Sequence, residues 1–143
     1  MNLLTWAIRL LLGAVFVAAG VLKLRDPSEF ALEVSNYHLM PALAPYVAIT
    51  LPSTELLVGL FLLVLPSRSR WLCAAAQAST LLLLMLTIAV ASVVVRGINV
   101  SCGCFGGSSG PVTGLIVARD LGLLACSIWL AVEPSISPRA DRR

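Results

Sequence analysis

Two cysteines one residue apart, Cys102 and Cys104, stand in the glycine-rich stretch VSCGCFGG. Three chemistries fit such a pair: thiol–disulfide exchange, half of a metal site, or a turn whose thiols are incidental. A structural zinc site needs four nitrogen or sulfur ligands, usually in pairs two to four residues apart. The cysteines left over are Cys73 and Cys126, and the sole histidine is His38, so zinc is disfavoured. A disulfide between Cys102 and Cys104 would close a very small ring, and its Cα atoms must lie within about 7 Å. Gly103 permits the turn this needs. Strained, exposed disulfides are the oxidising, labile ones. The pair therefore reads as a redox couple, or else as two unrelated loop thiols or a link that only braces a loop. Cys73 and Cys126 fall inside apolar runs, where a thiol behaves as a small hydrophobe.

A second set of groups stands where charge is expensive. Glu55, Arg119 and Asp120 interrupt apolar segments, and Lys23 closes another. Intramembrane ionisable residues face the bundle interior and pair. At 1.5 Å per residue, Glu55 and Arg119 fall roughly 10–14 Å from the same end of their segments. Asp120, one residue round the helix, points about 100° away from Arg119. The expectation is a polar layer in which Glu55 pairs with Arg119, while Asp120 turns to Lys23 or a polar ligand. Such a layer is either structural glue or a carboxyl site that handles protons during thiol oxidation.

The elements that must position these groups follow from composition. Of 143 residues 59% are hydrophobic and 12% charged, against about 25% charged in an ordinary soluble domain. Four stretches are long enough to span a bilayer: Leu3–Leu24, Tyr46–Leu65, Trp71–Val95 and Val112–Val132. An all-α, four-helix membrane bundle follows, because lipid offers the backbone no hydrogen bonds. The first span resembles a signal peptide only in Ala18-Ala19-Gly20; no basic residue precedes Leu3. In the first interhelical loop, Asp26, Pro27 and Glu29 form a helix start, with Phe30, Val34 and Tyr37 at helical spacing. This predicts a short interfacial helix lying apolar side down.

Loop charges set the orientation. Arg68, Arg70, Arg139, Arg142 and Arg143 fall on one side, against Lys23, Arg25 and Arg96 on the other. The chain is thus expected in a bacterial cytoplasmic membrane with both termini and the tail 133–143 inside and Cys102 and Cys104 outside. The net charge of +3 reads as topology, with no sign of nucleic-acid binding.

With these residues placed, the chain resembles the MauE branch of the DoxX-like membrane proteins. The matching stretches are RLLLGAVFVAAGVLKLRDPSEF, NYHLMP, LPSTELLVGL, RGINVSCGCFGG and RDLGLL, in that order. The resemblance implies a four-helix protein associated with maturation of methylamine dehydrogenase, a disulfide-rich enzyme, beside a separate thioredoxin-like partner. By position, Cys102 and Cys104 match that family's Cys-Gly-Cys-Phe-Gly motif, and Glu55 with Arg119-Asp120 match its polar positions. Two functions are weighed. One is thiol–disulfide exchange, with a quinone as a conceivable electron acceptor. The other is a non-catalytic membrane anchor that docks a partner. A small-solute carrier is disfavoured by four short spans without a visible repeat.

Overall fold

The computed structural model describes residues 2–39, 41–67, 69–98 and 114–133. Cys102, Cys104 and the tail beyond Glu133 lie outside them. Every described element is helical: α1 (Leu3–Arg25), α2 (Pro27–Asn36), a 3-10 turn (Pro41–Leu43), α3 (Ala44–Val64), α4 (Arg70–Val95) and α5 (Gly114–Val132). Of these, α1, α4, α5 and α3 with its leading turn are long and apolar enough to cross a membrane. The four-helix membrane bundle is the fold.

Pro45 falls in the first turn of α3, where its missing N–H is no loss. Pro52 lies inside that helix and removes one backbone donor. Around it Thr50, Ser53 and Thr54 donate their hydroxyls to carbonyls one turn back, at 2.7–2.8 Å.

In lipid, apolar side chains gain nothing by leaving solvent, so helices associate through close packing and polar contacts. The α1–α3 seam shows both. A Cβ on Gly20 would stand 2.8 Å from the Pro52 carbonyl oxygen, and one on Gly59 would stand 2.8 Å from the Val17 amide. Only glycine lets these backbones meet. The two helices run antiparallel, since Arg9 of α1 reaches Leu62 of α3 while Lys23 reaches Glu55. Helices α4 and α5 are likewise antiparallel. Ser127 of α5 lies 2.6 Å from Thr80 Oγ1 and 3.4 Å from Ser79 Oγ of α4.

Between the pairs, Leu12, Phe16, Leu62, Leu72, Leu83 and Leu130 build the core. Cys73 and Cys126 are free thiols packed against it. Ends of the helices therefore fall into two groups. Arg25, Ala44, Val95 and Gly114 share the end that also carries α2; Leu3, Val64, Arg70 and Val132 share the other.

Helix α2 starts as its sequence predicts. The Asp26 carboxylate accepts from the Glu29 amide at 3.0 Å and from Ser28 Oγ at 2.6 Å. Phe30 is buried against Ala48 and Leu51 of α3, with Val34 alongside. At the far end of α4, Gly97 (φ +66°) adopts the left-handed conformation that ends a helix. Arg96 Nη1 there donates to the Tyr37 carbonyl at 3.2 Å, tying α4 to the end of α2.

Candidate functional site

The close α1–α3 approach brings Lys23 against Glu55. Lys23 Nζ donates to both carboxylate oxygens, at 2.7 and 2.8 Å, and the side chains are 3% and 1% exposed. Above the ammonium sits the Phe30 ring of α2, its centroid 5.2 Å from Nζ. On α5, Arg119 folds back along its own helix. Its Nε and Nη2 lie 3.0 and 2.7 Å from Asp120 Oδ1.

The predicted polar layer is present, but its pairing differs. Glu55 takes Lys23, where Arg119 had been expected, and Arg119 binds Asp120. The glycines decide this: α1 and α3 meet backbone to backbone, and only a cation on α1 lies directly opposite Glu55. Asp120 faces inward at 6% side-chain exposure while Arg119 remains 38% exposed, as their 100° separation requires.

All four groups nevertheless line one cavity of about 40 Å³, walled by Phe16, Leu83, Leu86 and Leu123 among others. That is room for a few water molecules. The cavity holds two cations and two anions, so it offers no net charge to an ionic ligand. Its chemistry is that of a polar, balanced layer inside an apolar bundle.

Two buried charges escaped the sequence reading as site residues. Arg9, 2% exposed, donates Nε and Nη2 to the carbonyls of Leu62 and Leu65, with Leu63 O at 3.5 Å. Those carbonyls close α3, where a helix has no amides left to satisfy them. Glu33 of α2 is 8% exposed, and among the described residues its Oε2 is buried without a hydrogen-bond partner. Burial drives its pKa above the usual carboxylate range, Glu29 adds to the rise, and Lys23 opposes it. A signal for it existed: Glu33 is three residues after Phe30, on the face α2 buries.

Comparison with known proteins decides the family. Residues 1–133 match the family model for methylamine utilisation protein MauE. The chain belongs to the MauE family. It is 40% identical over 129 residues to methylamine utilization protein MauE of Paracoccus denitrificans, covering 88% of this chain and 67% of that one. The Methylorubrum extorquens protein of the same name is 34% identical over 139 residues, covering 95% and 73%. That of Paracoccus versutus is 36% identical over 132 residues, covering 90% and 69%. No solved structure matches. This member of the family thus combines a four-span bundle with a buried charge layer near the end that carries α2.

Proposed function

We propose that this protein is a membrane redox component of methylamine utilisation that exchanges disulfides through Cys102 and Cys104 with an extracytoplasmic thioredoxin-like protein. The enzyme so matured would be one that contains disulfides, such as methylamine dehydrogenase. The observation that carries the reading is the Cys-Gly-Cys stretch itself, set between α4 and α5. Its described flanks, Ile98 and Gly114, belong to the α2 end of the bundle, and the arginine bias of the loops supports an extracytoplasmic side for that end. Family membership supports the process, because the curated relatives carry methylamine utilization in their names.

The chemistry is balanced within the two partners. One cysteine, as thiolate, attacks a partner disulfide; a mixed disulfide forms and the partner's second sulfur leaves as thiolate. The other cysteine then attacks the mixed disulfide, closing Cys102–Cys104 and releasing the partner as a dithiol. Two electrons pass to the partner, and the reverse sequence returns them.

Replacing Cys102 and Cys104 singly by Ser removes the resolving thiol. One of the two variants should accumulate a covalent adduct with a thioredoxin-like protein, seen as a reducible band on a non-reducing gel. If neither traps an adduct and the partner enzyme still matures, the protein is an anchor and the redox reading fails.

A further inference from the structure

Glu33 is the buried ionisable group for which neither the fold nor thiol exchange provides a use. It lies nine-tenths buried on the face of α2 that packs against α1, α3 and the 3-10 turn. Its charged surroundings on those elements are few. Lys23 faces it from α1 and Glu29 from its own helix; Glu55 of α3 lies behind Lys23. The 3-10 turn Pro41–Leu43 carries no titratable side chain. Arg96 of α4 is engaged on the Tyr37 carbonyl at the end of α2.

Lys23 cannot compensate two carboxylates at once. Both Glu55 oxygens already accept from its ammonium at 2.7 and 2.8 Å. Meanwhile the Phe30 ring covers its other side at 5.2 Å. Glu33 Oε2 is left buried without a partner among the described residues. A buried carboxylate in that position loses hydration and regains only the pull of a lysine already paired with Glu55, whereas a neutral carboxyl loses far less. Taken as a set, two acids and one ammonium are electrically balanced when they hold one proton more than the ammonium itself.

We infer that Glu33, Lys23 and Glu55 form a proton-holding site in which Glu33 carries the proton, Glu55 is ionised and Lys23 is charged. The ligand of this site is a proton, taken from or given to the water at the α2 end of the bundle. The helix that bears Glu33 is also the element that covers Lys23, so the proton-bearing group and the cover over the ion pair are one piece of chain. This assignment stands apart from the cysteine chemistry, and its test reads a carboxyl proton rather than a disulfide.

The experiment is infrared spectroscopy of the full chain in lipid nanodiscs, with exchange into heavy water to identify the carbonyl stretch of a protonated carboxyl. Wild-type protein should show this band at about pH 7, where an ordinary glutamate, with pKa about 4.3, is ionised. The band should disappear as pH is raised. E33Q should lose it, whereas E29Q should keep it. K23M should gain intensity, because Glu55 then becomes a second uncompensated acid. Survival of the full band in E33Q overturns the assignment, as does absence of any such band from the wild-type protein. The wild-type spectrum alone can overturn the inference, and E33D, which keeps the acid, should retain the band if E33Q fails to fold.

Discussion

The two ends of the α1–α3 seam solve one problem in different ways. Each buries a cation of α1: Arg9 at one end and Lys23 at the other, 2% and 3% exposed. Arg9 meets backbone carbonyls of Leu62 and Leu65, which close α3 and carry the negative end of its dipole. Trp6 adds its ring 5.3 Å from the guanidinium carbon. Nothing in that arrangement can change charge, since a guanidinium is always protonated and a carbonyl never is. Lys23 instead meets a carboxylate, and its charge is also felt by a second acid, Glu33. The Arg9 end is a fastening. The Lys23 end is a fastening made of groups that can trade protons, and it lies where α4 and α5 lead into the Cys-Gly-Cys stretch.

That distinction predicts that breaking the Lys23 end costs most. Glu55→Ala strands an ammonium in the bundle, and removing one member of a buried pair costs about 3–5 kcal/mol. Replacing both members, Lys23→Met with Glu55→Leu, should return stability to within about 1 kcal/mol of wild type, because well-packed apolar pairs match buried ion pairs. Denaturation in mixed lipid–detergent micelles would measure both. A double variant as unstable as the single one would show that the charges, rather than their balance, hold the seam. Adduct formation by Cys102→Ser or Cys104→Ser in that stable double background would then separate fastening from function.

The Arg9 end should break more gently. Arg9→Ala leaves neutral carbonyls rather than a bare charge, a loss of about 1–3 kcal/mol. Arg9→Lys should fall between, since a single ammonium lacks the fork that reaches carbonyls at two positions. The same denaturation assay checks this, and disulfide exchange should survive in folded Arg9→Lys protein. Equal losses at Arg9 and Glu55 would erase the contrast between the ends.

How far the sequence discloses all this depends on the kind of interaction. The spans are legible because hydropathy over some twenty residues needs no knowledge of neighbours. The start of α2 is equally local: Asp26, Pro27 and Glu29 cap the helix within one turn. The choice of Lys23 over Arg119 as the partner of Glu55 is not local. It depends on Gly20 and Gly59 letting two backbones touch, and depth along a span cannot report which helices touch. Arg9 escaped notice as a cap because its acceptors are carbonyls, which every residue has. Glu33 was hidden by a pattern of Phe30, Val34 and Tyr37 that drew attention to apolar positions on the very face the acid shares. The cysteines, by contrast, are visible only in sequence, for Cys102 and Cys104 lie outside the described residues.

The smallest effect divides a single helix. Asp26, at the start of α2, has its pKa lowered by the Ser28 hydroxyl and then by the Glu29 amide. Its contribution to stability is present above the ordinary aspartate value, about 3.9, and is lost as pH falls through the lowered one. Glu33, about two turns further along the same helix, has its pKa raised, chiefly by burial. The folded state therefore binds its proton more tightly than the unfolded chain does. Its contribution is complete below the ordinary glutamate value, about 4.3, and declines as pH rises through the raised one. The two acids thus pull the docking of α2 in opposite directions. Amide hydrogen exchange across Pro27–Asn36, corrected for the intrinsic pH dependence of exchange, should show protection declining on both sides of a mildly acidic optimum. D26N should flatten only the acid limb and E33Q only the limb at higher pH. An unchanged upper limb in E33Q would mean that Glu33 gives up its proton at no cost to the helix that carries it, and the proton-holding site would then have no hold on α2.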